Sequence, residues 1–376
     1  MIKRSILFIY PGPTYKPQSP SYQREYKMLS RSFSGYIFTT SGVTEKMQIG
    51  DFIYLSMKSD QSKISSLKYA FFCIRNAVIL LRKKIKIDLV TTYDPLKTGL
   101  IGLFVSRILK AKFAPEVNGV YTSQTVYMDE AGKLSGSIKC ITYPVIMRFV
   151  LKRADGIKLL FNNQINSLKI TLHGKKVKSF PDYVAVDDFK NIREEKEVLF
   201  AGFPFKLKGV DILIKAFKKI ASKYPEWKLK ILGWFPNPTE LNEAIGGHPQ
   251  IYHHKPVHRN EMPAHIGSCA IFALPSRSEA MGRVLVEAMA AGKPRIGSNV
   301  DGIPTVINDG IDGLLVEPEN VDDLAKKLDM LMGNSDMRHK LGKNGEVRAK
   351  KEFSEERYIK NIEVLYNEVI TNAGND

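Results

Sequence analysis

Pro275-Ser276-Arg277-Ser278-Glu279-Ala280-Met281-Gly282-Arg283-Val284-Leu285-Val286-Glu287-Ala288-Met289-Ala290-Ala291-Gly292-Lys293-Pro294 is the stretch that decides the reading of this 376-residue chain. It follows a short apolar run, residues 270–274, of the kind that forms a buried parallel strand. Helix formers then occupy residues 283–291, and Gly292 and Pro294 stop them. One carboxylate, Glu279, therefore falls in a strand-to-helix loop, and a second, Glu287, falls in the first turns of the helix. Between them lies a helix start of small residues, whose unsatisfied N–H groups and positive dipole end suit a phosphate. A loop carboxylate can grip sugar hydroxyls and a helix carboxylate ribose hydroxyls, which leaves a diphosphate at the amides between them. The arrangement fits a nucleotide sugar. The plainer reading is an exposed pair of acids on an ordinary surface helix.

These residues resemble the donor site of retaining glycosyltransferases of family 4, which have the GT-B fold. The resemblance implies an α/β protein of two doubly wound, Rossmann-like parallel-sheet domains facing a cleft. It implies that Glu279 orients the donor sugar, that Glu287 anchors the ribose, and that backbone around Met281, Gly282, Arg283 and Val284 receives the diphosphate. A second segment, Ala201-Gly202-Phe203-Pro204-Phe205-Lys206-Leu207-Lys208-Gly209, closes one strand and opens a helix. A glycine turn followed by a lysine at a helix start can set an ammonium against a diphosphate. It resembles the Gly-Arg-x4-Lys-Gly segment of the same family, which implies Lys208 as the ligand of the leaving group. Phe203 stands where the family has arginine, so Lys206 or Arg283 is expected to supply the missing cation.

The first half carries weaker landmarks. Glu116-Val117-Asn118-Gly119 sits where the family often has His-Gly at the reaction centre; an amide there can position a sugar hydroxyl but cannot titrate near neutral pH. Asn118 before Gly119 is equally readable as turn chemistry. Gly12, between Pro11 and Pro13, is the counterpart of a glycine-rich loop beneath the donor phosphates, and Arg24 at the next helix start is a candidate for an acceptor anion. Asp301-Gly302-Ile303-Pro304 matches a further family stretch and reads as turn chemistry. The seven histidines show no metal-ligand spacing and no Asp-x-Asp occurs, so neither a metal nor any other cofactor is expected beside the nucleotide sugar.

Working outward, short apolar runs alternate with helical patterns along the whole chain, which implies parallel sheets. A polar stretch at 187–196 reads as a linker. The expected division is 1–190 as an acceptor-binding domain, 197–353 as a nucleotide-sugar domain, and 354–376 as a helix crossing back to the first. Residues 1–190 hold 30 Lys and Arg against 13 Asp and Glu, whereas 191–376 hold 26 of each, so the whole excess of +17 lies in the first half. A one-sided basic field points to an anionic partner. Leu67, Phe71, Ile74, Val78 and Leu81 form an apolar stripe at helical spacing among Lys68, Arg75, Arg82, Lys83, Lys84 and Lys86. Such a helix can lie on an anionic bilayer, though a stripe of this kind is more often the face packed on a sheet. Lys3 and Arg4 before Ile6–Ile9 superficially match a signal peptide, but the apolar run is too short and reads as a first strand.

The three cysteines are scattered and read as buried thiols in a reducing compartment. The expectation is a cytoplasmic enzyme, peripheral on the inner face of the cell membrane, that moves a sugar from a nucleotide-diphosphate sugar to a lipid-linked or cell-envelope glycan acceptor. Two alternatives remain: a sugar-nucleotide epimerase or hydrolase on the same fold, and, more distantly, a nucleic-acid-binding protein. No binding motif supports the latter, so no nucleic acid is expected.

Overall fold

The structure, a computed structural model, describes residues 3–10, 20–59, 65–123 and 133–371. They divide into two units. The first gathers the residues up to Thr122, Ile141–Phe180 and the segment from Tyr358; the second gathers Ser123–Cys140 and Pro181–Arg357.

In the first unit, β1 (Arg4–Ile9), β2 (Phe33–Ser41), β3 (Glu45–Ile49), β4 (Phe52–Lys58), β5 (Leu89–Thr92), β6 (Lys112–Val117), β7 (Gly156–Leu159) and β8 (Lys176–Ser179) form one sheet. Its order is β3-β4-β2-β1-β5-β6-β7-β8, and every pairing is parallel except β3 with β4. The antiparallel β3 escapes an alternating strand-helix reading because Glu45, Lys46 and Gln48 leave it no apolar run. Gly50, at φ +57°, turns it back onto β4, and its charges suit a sheet edge that must not recruit other chains.

β1 shows how the two faces of this sheet are filled, since successive side chains point opposite ways. Leu7 and Ile9 enter a core shared with Cys73, Leu103 and Val150, from helices Ser65–Arg82, Lys97–Leu109 and Lys133–Leu151. Phe8 faces away from that core, where it meets Tyr26 at 5.4 Å and Tyr366 at 6.2 Å between ring centroids. Tyr366 belongs to the last helix, Glu355–Thr371, and its hydroxyl donates to Glu116 Oε1 at 3.3 Å. Lys178 of β8 pairs with Glu368 of the same helix at 2.8 Å. Helix Glu355–Thr371 therefore packs as part of the first unit from Tyr358 onward.

Helix Ser65–Arg82 does not pack by the stripe that its spacing suggested. Tyr69, Cys73, Ala77 and Leu80 are buried, whereas Leu67 and Phe71 are 72% and 68% exposed. The rotation is fixed by Tyr69, whose hydroxyl donates to the carbonyls of Tyr10 and Phe38 at 2.7 and 2.8 Å. Small Cys73 and Ala77 then let the helix approach the sheet closely. Residues 163–170 form a 3-10 turn at Asn166–Leu168 and no longer helix. There the Gln164 side chain accepts from Leu160 N and donates to Val117 O, so polar side chains take up backbone groups beside the turn.

In the second unit, β9 (Glu197–Ala201), β10 (Lys228–Leu232), β11 (Ile251–His254), β12 (Ile271–Leu274), β13 (Arg295–Ser298) and β14 (Leu314–Val316) lie in the order β11-β10-β9-β12-β13-β14, all parallel. Every residue of β9 and β12 is buried, as expected of parallel strands covered on both faces. The chain moves outward from β9 to β11, then returns to place β12 on the other side of β9. The carboxyl ends of β9 and β12 thus flank the point where strand order reverses, where such sheets bind ligands. Residues 187–196 are not a free linker. Ile192 N donates to Gly267 O at 2.9 Å, Lys293 Nζ to Asn191 Oδ1 at 2.7 Å, and Arg338 pairs with Glu194 at 2.7 Å.

Candidate functional site

Two loops leave the second sheet at that reversal, residues 202–209 after β9 and 275–282 after β12. Arg277 ties them together. Its backbone N–H donates to Leu207 O at 2.8 Å, and its guanidinium forks onto Asp211 at 2.9 and 3.0 Å and also donates to Lys206 O. Burial pushes the Asp211 carboxyl up, but Arg277 and Lys206 outweigh it and hold the group below the usual carboxylate range. Gly209, at φ +70°, starts helix Val210–Ile220, and a Cβ there would stand 1.9 Å from Pro275 O. Gly209→Ala is therefore expected to cost more than about 1 kcal/mol of stability, read as a lower urea midpoint, because both the backbone angle and the loop contact forbid the methyl.

This clamp brings Lys208 against Glu279. Nζ to Oε2 is 2.6 Å, and the side chains are only 18% and 13% exposed. Glu279 is anchored from behind by Asp301, which the sequence reading treated as turn chemistry only. Asp301 Oδ2 accepts from Glu279 N at 3.1 Å and from Ser278 Oγ at 2.6 Å, and Gly302 N donates to Glu279 O at 3.0 Å. Gly282, at φ +71°, ends the loop and precedes helix Arg283–Ala290; a Cβ there would lie 3.0 Å from Leu285 Cδ1 and 3.4 Å from Glu279 Cγ. Met281 is buried, Val284 half-buried and Arg283 exposed.

Glu287 is half-buried within that helix, and burial raises its carboxyl above the usual range, with Arg283 and Arg259 pulling the other way. Neither acid is a plain surface charge. Lys206 is exposed and engaged elsewhere, 3.3 Å from Glu240 and 3.6 Å from Asp211. Phe203 meets Trp234, which follows β10, with ring centroids 5.0 Å apart and planes tilted by 50°. Both rings are substantially exposed and give the carboxyl ends of β9 and β10 an aromatic surface. Trp234 was missed in the sequence, although Gly233-Trp234 directly after an apolar strand is a visible signal. Gly233 is required there, since its Cβ would stand 2.4 Å from Gly202 O.

The remaining sequence candidates lie in the first unit. Asn118 is held from both ends of its amide, donating to Glu116 Oε2 and accepting from Lys158 Nζ at 3.0 Å each. Lys158 and Glu116 are themselves paired at 3.3 Å and are buried. Arg24 is exposed on helix Pro20–Leu29, and Gly12 lies outside the described residues. Among the described residues, no three His, Cys, Asp or Glu side chains gather as a metal site would require.

With both units in view, comparison with known structures fixes the class of fold. Anabaena Alr3699/HepE in complex with UDP superposes with a TM-score of 0.72 over 98% of this chain and 100% of that one, at 15% identity. The fold is GT-B. Residues 186–348, which include Lys208, Glu279 and Glu287, match the family model of glycosyl transferases group 1. An uncharacterized glycosyltransferase of Methanocaldococcus jannaschii, MJ1178, is 34% identical over 46% of this chain and 48% of its own length. The chain thus spans about half the length of that relative. The capsular polysaccharide biosynthesis glycosyltransferase CapM of Staphylococcus aureus is 25% identical over 83% of this chain and 84% of its own. Both of these relatives are named glycosyltransferases.

Proposed function

We propose that the protein transfers a sugar from a nucleotide-diphosphate sugar to a glycan or lipid-linked acceptor, with retention of anomeric configuration and in the manner of family 4. The observation that carries this reading is the Lys208–Glu279 pair, 2.6 Å apart at the strand-order reversal and beside the amino end of helix Arg283–Ala290. Without donor, each charge satisfies the other. With donor, Glu279 turns to the sugar hydroxyls, and Lys208 and the helix end turn to the diphosphate. Negative charge grows on the diphosphate as the glycosidic bond breaks, so a fixed ammonium and fixed N–H dipoles stabilise the transition state more than the ground state. The departing phosphate can then take the proton of an acceptor hydroxyl attacking from the same side. Asn118 and Arg24 are assigned to the acceptor, and the net positive charge of the first half favours one that carries phosphate or sits at an anionic membrane.

Glu287 gives the test. Burial raises its carboxyl, so the fold binds the proton there more tightly than the unfolded chain does, which contributes stability at low pH. That contribution is complete below the ordinary carboxylate value and is lost as pH rises through the raised one. Glu287→Gln is therefore expected to raise the melting temperature of the unliganded protein at neutral pH. The same change removes a charged partner of the ribose hydroxyls and weakens nucleoside-diphosphate binding by about 10- to 100-fold. Thermal shift and calorimetry with UDP, GDP and ADP measure both effects. Unchanged affinity in the variant removes Glu287 from the nucleotide, and no shift with any of the three in the wild type ends the donor reading.

A further inference from the structure

We propose that the outer face of helices Ser65–Arg82, Lys97–Leu109 and Lys133–Leu151, over its part in the first unit, docks the protein on an anionic lipid bilayer. The three helices pack on the same core beneath one face of the first sheet, and the first two lie side by side. A Cβ at Gly99 would stand 3.2 Å from Val150 Cγ1, which sets the third against the second. Their inward residues fill the core, so their outward residues should be polar. Instead, Leu67, Phe71, Phe104, Ile141, Val145 and Phe149 are exposed, Ile141 by 72% and Phe104 by 57%. Single exposed apolar residues are ordinary, but an array across three neighbouring helices marks an interaction surface.

The charge on this face selects the partner. None of the three helices contains an Asp or Glu, although the chain holds 39 of them, and cations such as Lys68, Arg75, Arg82 and Arg107 stand among the apolar residues. All three are crossovers between parallel strands, so they run in one direction and end at one edge of the sheet. Cations follow at each end: Lys83 and Lys84, Lys110, and Lys152 with Arg153. At that edge a cleft of about 500 Å³ is lined by Arg4, Lys86, Arg107, Lys110 and Lys112, with Asp88 and Asp155. Both acids are already engaged, Asp88 by Lys86 at 3.0 Å and Asp155 by Lys112 at 3.2 Å, so the cleft presents net positive charge. Apolar side chains at interfacial depth with cations around them match an anionic lipid surface. A second copy of this chain is a poorer occupant, since a two-fold contact would set one acid-free surface against another. The proposal stands on the first unit alone and is independent of the donor site.

Co-sedimentation of the full chain with phosphatidylcholine vesicles, with and without phosphatidylglycerol, tests it at low salt. Wild type is expected to partition at least about tenfold more strongly to the anionic vesicles. Phe71→Ser with Phe104→Ser should lose about tenfold of that binding while melting temperature and nucleoside-diphosphate response stay unchanged. Arg107→Glu with Lys110→Glu should lose the preference for phosphatidylglycerol and supplies a second arm independent of the first. Loss in either folded variant supports the proposal. Three results overturn it: no binding of wild type to anionic vesicles, wild-type binding by both variants, or lipid-free self-association that the Phe71→Ser, Phe104→Ser variant abolishes, which would give the face to a second copy.

Discussion

Glu279→Gln is expected to lower turnover by about 100- to 1000-fold with the fold intact. The backbone of Glu279 is fixed independently of its carboxylate, through Asp301 and Gly302, so the loop keeps its shape when the charge goes. Gln has nearly the same volume and still accepts from Lys208. What disappears is the negative charge that sets the ammonium and grips the sugar hydroxyls, a loss of about 2.7–4 kcal/mol of transition-state stabilisation. Lys208→Met should cost a similar factor. The double variant should be far less impaired than the product of the two, because the charges act as a unit. Initial rates with the nucleotide sugar whose diphosphate raises the melting temperature, alongside circular dichroism, decide the matter. Wild-type turnover by a folded Glu279→Gln protein would count decisively against the proposed chemistry.

The largest effect on stability should come from Asp312→Ala. Arg295 is completely buried, and Nη2 donates to Asp312 Oδ1 at 2.7 Å while Nη1 donates to Val306 O at 3.1 Å. Arg348 takes the other carboxylate oxygen at 2.9 Å. Burial pulls the Arg295 guanidinium down to about 10, with Asp312 opposing that shift. Removing Asp312 strands a buried cation beside a second one, and breaking such a pair from one side costs about 3–5 kcal/mol. Urea unfolding should show the unfolding free energy fall by that amount, read as a lower midpoint at unchanged slope. Asp312→Leu combined with Arg295→Met should recover much of the loss, since a packed apolar pair carries no desolvation cost. A single variant as stable as wild type would remove this cluster from the ledger of the second unit.

The local geometry of the proposed donor site was legible because its signals are local. A buried strand, a loop acid, a positive-φ glycine and an amphipathic helix follow one another within twenty residues, and Gly282 and Gly209 stand where the backbone demands them. Lys208 was legible for the same reason. Asp301 was not, because its role depends on β13 lying beside β12, a fact of sheet order that spacing does not encode. Trp234 and Phe203 come together only because β9 and β10 are neighbours. Helix rotation was the other failure. In Ser65–Arg82 almost every position is apolar or basic, so periodicity alone offered two faces, and a tertiary hydrogen bond from Tyr69 chose between them. The antiparallel β3 was silent since an edge strand need bury only one residue, Ile49.

The contact between Tyr366 and Glu116 joins positions 250 residues apart. On the ribosome, the second unit's strands are complete well before helix Glu355–Thr371 emerges, whereas Phe8 and its aromatic neighbours wait for that helix. The first unit is thus the later of the two to close during biosynthesis, and a nascent chain halted short of Glu355 would leave that aromatic layer uncovered and open to chaperones.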